Sequence, residues 1–290
     1  NNSRYMKYGF FIEAVLNIFL DYSLIYGHFG LPRLGFNGAA IASIIAEASG
    51  LIIVYAIIFI KKFHHRFSLF AHLRFDKELA GLIFRQSLPL VMQFVLSVSA
   101  WLFFYILIEH YGQRPLAISN TMRNVFAVFG IFVWSFASTS NAMVSNIIGQ
   151  GKKDQVVFLI NKIARLSFIC TASLCLLINL FPALWLSIYG REEGFINDAI
   201  PVVRIVSVGL LCMSVATVWL NGVTGTGNSK VNLGIEIITI LLYCIYIYLV
   251  LEVWHLSLIW AWASELIYWS AIFTLSFLYL RSGKWRNKVI

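Results

Sequence analysis

Uncharged apolar stretches long enough to cross a membrane recur along this 290-residue chain, and they leave few folds open to it. A helix needs about 20 apolar residues to cross roughly 30 Å of hydrocarbon. The run 36–60, for example, holds one charged residue, Glu47. Lipid offers no partner to a stray backbone N–H or C=O, so only helices or a closed β-barrel can span it. A barrel would alternate apolar and polar residues over segments of about ten, whereas these runs are continuously apolar. The reading is an all-α integral membrane protein with eight transmembrane helices, at roughly 8–26, 36–60, 88–108, 116–142, 166–188, 200–220, 231–250 and 256–280. Composition agrees. Hydrophobic residues make up 60% and charged residues 12%, against about 45–50% and 25% in a soluble domain. One soluble core could not bury that much apolar surface.

The basic residues orient the spans. Of 22 Lys and Arg, seventeen fall in the termini and the even-numbered connections, and three (Arg33, Arg114, Arg191) fall in the others. Arg123 and Arg204 lie within spans. Cytoplasmic loops carry the excess of Lys and Arg, so both termini are expected in the cytoplasm of a multi-pass protein of the cell membrane. An even number of spans follows. The net charge of +9 is then explained by orientation and anionic lipid rather than by nucleic acid. The basic segment 61–87 reads as a linker between two groups of spans, 1–60 and 88–290, with a short surface helix over Asp76–Gln86.

A weak internal repeat supports that division. Asn2-Ser3-Arg4 before the first span resembles Asn228-Ser229-Lys230 before the seventh, and Ala40-Ile41-Ala42-Ser43 resembles Ala261-Trp262-Ala263-Ser264. Duplicated halves are a habit of secondary transporters. If six spans make one copy, four are missing from the first, and the start at Asn1 reads as a cut. Cys170, Cys175, Cys212 and Cys244 all lie within spans, without metal-ligand spacing. Gly222-x-x-Gly225-x-Gly227 follows no strand, so it reads as a loop rather than a nucleotide site. No nucleophile elbow or zinc motif is present, and neither an enzyme nor a bound cofactor is expected.

Polar residues at membrane depth carry the functional signal, because a charge there costs a few kcal/mol or more and faces protein or a watery cavity. Glu13, Asn17 and Asp21 are spaced by four, one face of the first span. An amide oxygen and a carboxylate on one face can bind a small cation such as Na+, or a proton on the carboxylate; alternatively the helix merely faces a polar interior. Ser43, one turn from Glu47, is either a neutral oxygen ligand or a small residue permitting close packing. Gln93 on the third span and Asn120, Arg123 and Asn124 on the fourth are candidates for a substrate cavity, with helix-to-helix glue as the other reading. Ser135, Ser138, Thr139, Ser140, Asn141 and Asn146 extend that polar content, and Arg123 is expected to need a carboxylate or carbonyl partner. Glu236, Thr239 and Tyr243 form a polar face on the seventh span. Glu265 sits among Trp262, Tyr268 and Trp269, where an acid beside aromatic walls suits an organic cation or pairs with Arg204.

Read in order, these segments resemble a known family. Asn17-x-x-x-Asp21-Tyr22 with Gly30-Leu31-Pro32 and Gly38-Ala39-Ala40-Ile41-Ala42-Ser43 is similar to the fifth and sixth helices of MATE (multidrug and toxic compound extrusion) transporters. Leu88-Pro89, Gly112-x-x-Pro115-Leu116-Ala117-x-Ser119-Asn120 and Ser145-Asn146-x-x-Gly149-Gln150-Gly151 resemble its seventh and eighth. Asn221-Gly222-x-x-Gly225 through Lys230 and Gly283-Lys284-Trp285 resemble the tenth-to-eleventh connection and the ending. The resemblance implies helices five to twelve of a twelve-helix, two-lobe exporter, that is, two helices of the first lobe plus a complete six-helix second lobe. It implies antiport of organic, often cationic, small molecules against H+ or Na+, within the lipid bilayer and together with the first four helices. It further implies that Asn17, Asp21 and Ser43 couple the ion. A second-lobe acid that some members carry falls here at Ser97, a departure that disfavours a sodium site there. The rival readings are a lipid-linked sugar flippase of the same superfamily and a transport-incompetent fragment acting as a partner subunit.

Overall fold

The computed structural model describes residues 5–66, 68–70, 75–189 and 194–287. Arg4, Arg74, Arg191 and Lys288, and with Asn2-Ser3-Arg4 one arm of the sequence repeat, lie outside the described residues. Eight of the described helices are long and apolar enough to cross a membrane. They are α1 (Met6–Tyr26), α2 (Phe36–Ile60), α3 (Lys77–Glu109), α4 (Gln113–Gly149), α5 (Val156–Leu180), α6 (Phe195–Gly225), α7 (Ser229–Tyr248) and α8 (Ser264–Arg281). No strand occurs among the described residues. The chain divides into two compact units, 1–77 and 78–290.

The first unit is a helical hairpin closed by small residues. Gly38, Ala42, Ala46 and Gly50 recur every four residues as the buried line of α2. A Cβ added to Gly38 would stand 2.6 Å from the Leu24 carbonyl oxygen, and one on Gly50 would stand 2.7 Å from Glu13 Oε2. On α1, a Cβ on Gly9 would meet Val54 at 2.8 Å. Such an interface lets backbones approach where apolar burial gives no drive, since lipid is as apolar as Leu. Gly27 ends α1 in the left-handed region at φ 77°, and Leu34 N–H returns to the Leu24 carbonyl at 2.8 Å.

The second unit is built around α6, which packs along α4, α5 and α8 and is buried over much of its length. Two apolar clusters flank it. One centres on Trp262, whose ring lies 5.1 Å from Phe104, 5.8 Å from Phe126 and 6.4 Å from Trp101; the other gathers Val144, Ile160, Trp219 and Ile272. Much of the remaining helix surface is exposed Leu, Ile, Val and Phe, as helices facing lipid require.

Three features depart from the sequence reading. Residues 77–86 are not a separate surface helix but the first turns of α3, a 33-residue helix with Pro89 inside it. At 1.5 Å per residue α3 is about 50 Å long, so it outruns the hydrocarbon. The seventh span ends in a π turn over Leu249–Val253. The last span is broken at Ala263 into a short helix, Leu258–Trp262, followed by α8. At the start of the α3–α4 connection His110 pairs with Glu252 at 3.1 Å. Next to it, Tyr111 Oη donates to the Leu251 carbonyl at 2.6 Å. Burial, with Glu252 nearby, pushes the Tyr111 phenol pKa up, so it stays a neutral donor.

Candidate functional site

In the first unit the helical period of α1 places Glu13 and Asn17 against α2. Asn17 Nδ2 donates to Ser43 Oγ at 3.3 Å. A cavity of about 220 Å³ opens between the helices, lined by Glu13, Asn17, Ser43 and Glu47 with Phe10, Ala14 and Ala46. Asp21 lies one turn further along α1, and its Oδ1 is buried without a hydrogen-bond partner among the described residues. The structure therefore brings Glu13, Asn17 and Ser43 onto one groove and adds Glu47, which sequence reasoning noted only as a neighbour of Ser43. It leaves Asp21 next to the groove with an unfilled acceptor. An amide oxygen, a hydroxyl and carboxylates are hard oxygen donors, the kind that hold small hard cations, and a carboxylate can also hold a proton.

In the second unit the polar face of α7 turns inward. Glu236 is 1% exposed. Three donors converge on its carboxylate: Ser97 Oγ at 2.5 Å and Tyr268 Oη at 2.5 Å, both on Oε1, and Gln93 Nε2 at 3.2 Å on Oε2. One turn back on the same face, Asn232 Nδ2 donates to Gln93 Oε1 at 3.2 Å and to Thr224 Oγ1 at 2.8 Å. The cluster thus ties α3, α6, α7 and α8 together. Tyr243 is buried beside it, its ring 5.5 Å from that of Tyr268. Glu265, also buried, accepts from Trp269 Nε1 at 2.8 Å, and its Cβ would lie 3.1 Å from a Cβ on Gly209 of α6. Trp269, rather than Arg204, is therefore its partner.

The polar content of α4 divides differently. Ser140 Oγ donates to the Val218 carbonyl at 2.9 Å and Ser145 Oγ to the Gly225 carbonyl at 3.0 Å, so both fasten α4 to α6. Ser135 and Thr139 donate to carbonyls one turn back on α4 itself. Asn120 is half-buried, while Arg123 and Asn124 are exposed. The partner expected for Arg123 is of a different kind: its guanidinium lies over the Tyr105 ring at 5.7 Å, a cation–π contact. No hydrogen bond among the described residues joins these three to the Glu236 cluster.

Sequence reasoning left out Ser97 and Tyr268 as partners of Glu236, and Asn232 and Thr224 as further members of its cluster. The stripe Asn232, Glu236, Thr239, Tyr243 could have brought in Asn232. The cross-helix partners left no local signal.

The arrangement matches known proteins along its length. The chain is 28% identical over 286 residues to a probable multidrug resistance protein NorM of Thermotoga maritima, covering 95% of this chain and 59% of that protein. It is 25% identical over 190 residues to a probable multidrug resistance protein YoeA of Bacillus subtilis, covering 64% of this chain and 41% of the relative. The chain thus spans well under two thirds of the length of these relatives. Among solved structures, a MATE protein in complex with MaL6 superposes with a TM-score of 0.83 at 17% identity, over 97% of this chain and 63% of that one. An outward-facing multidrug resistance MATE family transporter of the MOP superfamily gives 0.81 at 18%, over 96% and 62%. These establish the fold: two helices of one lobe and six of the next. The MatE family model matches residues 89–271, more than half of the chain, and the protein belongs to the MatE family, whose members are transporters rather than enzymes.

Proposed function

We infer that this protein is an ion-coupled antiporter that exports organic, cationic small molecules across the cell membrane, with both termini in the cytoplasm. The 290 residues supply helices five to twelve, and the first four helices of the family complete the first lobe. The observation that carries the reading is the α1 groove. Asp21 keeps a buried, unpartnered carboxylate oxygen one turn from the Asn17–Ser43 pair, where a proton or Na+ would find the partner it lacks. A buried acceptor without a partner costs free energy, so ion occupancy stabilises whichever state encloses Asp21 and shifts the balance between inward- and outward-facing forms. Support for the substrate class comes from the relatives, named as probable multidrug resistance proteins. The acidic groups of the groove, Glu13 and Glu47, suit a cation better than an anionic lipid-linked sugar.

The test is drug efflux from cells or proteoliposomes, comparing this chain with a version extended upstream to any in-frame start. Each is assayed as the parent and as Asp21→Asn. The expected result is coupled efflux by the extended protein and its loss in Asp21→Asn, with the variant still folded. Unchanged efflux and unchanged ion dependence in Asp21→Asn overturn the assignment. Efflux by neither parent protein favours the partner-subunit reading instead.

A further inference from the structure

On the outer surface of the six-helix unit, α5 and α8 each pack along α6 but scarcely touch each other, and the gap between them is a groove. We propose that this groove binds one anionic phospholipid of the bilayer, with its phosphate at Arg165 and Arg281 and one acyl chain along α6.

The groove follows from side-chain size. α6 lines it with the short side chains of Val208, Cys212 and Val215, while Phe168 of α5 and Phe273 of α8 stand on either side. Two cavities of about 420 and 340 Å³ occupy it, and they share Phe168, Val215 and Phe273, so they run into one another. Between Val208 and Trp219 the α6 floor is about 16 Å long at 1.5 Å per residue. That is close to half of the roughly 30 Å of hydrocarbon, the depth of one leaflet. Phe168 and Val208 are exposed, so the groove opens sideways to lipid rather than into the bundle. Its deeper part is apolar apart from Ser270 and Thr274, which suits hydrocarbon better than water.

The mouth decides which lipid enters. Arg165 immediately precedes the fifth apolar span and Arg281 immediately follows the last, so both sit where hydrocarbon gives way to headgroups. Arg165 and Asn161 line the mouth from α5. From α8, the Arg281 guanidinium lies over the Phe277 ring at 5.8 Å, and Phe277 lines the same mouth. Arg165 is exposed and has no acid partner among the described residues. The nearby acid at this end of the unit, Asp154, is taken by Arg286 at 3.0 Å. A guanidinium fork matches a phosphate with two parallel hydrogen bonds, and the Asn161 amide adds a further donor.

Other occupants use less of the site. A zwitterionic lipid would bring its own cation to the two arginines, and a free phosphate would leave the apolar groove empty. A helix of a second copy fits less well, because a groove one leaflet long accepts an acyl chain but not an element that crosses both leaflets. A phosphate held by both arginines ties α5 to α8, two helices that otherwise meet through α6. The bound lipid therefore stabilises the unit by mass action. The site stands on the membrane-spanning fold and requires no transport.

The experiment is native mass spectrometry of the purified chain in detergent, titrated with phosphatidylglycerol or with phosphatidylcholine of the same acyl chains. It compares the parent with Arg165→Gln, Arg281→Gln, the double variant, Cys212→Phe and Lys230→Gln. Lys230 is an exposed cation at the same end of the unit, on α7 and away from the groove. The expected result is one phosphatidylglycerol retained in preference to phosphatidylcholine. Its binding should weaken about fivefold with each arginine lost and about thirtyfold with both, and stay unchanged in Lys230→Gln. Cys212→Phe, which fills the groove, should lose the lipid with both arginines intact, and glycerol phosphate, which lacks acyl chains, should not displace it. Equal retention of the two lipids, an equal loss in Lys230→Gln, displacement by glycerol phosphate, or a dimer that retains no lipid overturns the proposal. If Cys212→Phe does not fold, the exposed arginines decide, and unweakened binding in the double variant overturns it. Efflux is not read, so failure of the export reading leaves the lipid count in place, and loss of the lipid site leaves the Asp21 assignment untouched.

Discussion

Both α1 and α7 carry an acid with an amide one turn before it on the same face, Asn17 with Asp21 and Asn232 with Glu236. On α7 each acid oxygen has a donor, the helix is pinned from three sides, and the unfilled acceptor belongs to the amide. On α1 the order is reversed. The amide is paired across to Ser43, the acid holds the unfilled acceptor, and a groove lies alongside. The same sequence signature therefore serves two ends. Where neighbours supply every donor, a carboxylate holds helices together. Where they do not, it waits for something from solution.

That contrast can be broken by removing each acid without replacing its hydrogen bonds. Glu236→Leu should have the largest effect, about 2–3 kcal/mol of stability lost, because it strands Ser97, Tyr268 and Gln93; thermal unfolding in detergent measures it. Asn17→Ala should cost less, about 0.6 kcal/mol, the usual worth of one hydrogen bond between membrane helices, in the same assay. Asp21→Leu should cost nothing or raise the melting temperature, since it removes a buried group whose Oδ1 has no partner. If Asp21→Leu destabilises as much as Glu236→Leu, Asp21 is a structural residue and the contrast collapses.

The spans were legible because the signal is local and redundant: a run of twenty apolar residues has one reading in any context. Their ends were less so. Residues 77–86 continue α3 and 143–149 continue α4 although polar residues interrupt both segments, because a helix does not have to stop where the hydrocarbon does. The α1 stripe was legible for the same local reason, a spacing of four on one helix. The partners of Glu236 were not. Gln93 and Ser97 precede it by 143 and 139 residues, and nothing in local periodicity says which face of α3 meets α7. Ser97 was visible only as a departure from the family pattern; the structure shows what it contacts, the Glu236 carboxylate on α7. Arg123 was misread for a related reason. A cation in a span looks for negative charge, and a tyrosine face provides it without an acid.

The seam of the α1–α2 hairpin has a consequence for how the chain is made. Its fit depends on Gly9, Gly38 and Gly50, whose added Cβ atoms would meet residues of the hairpin itself. The two helices can therefore pair as soon as the ribosome has released them, more than a hundred residues before α6 is synthesised. The pair can leave the insertion machinery together, with Glu13 and Asn17 already turned toward α2 and away from lipid. A bulky side chain at Gly38 would then be felt first during biogenesis, as single helices exposing a charged stripe to the bilayer and to quality control.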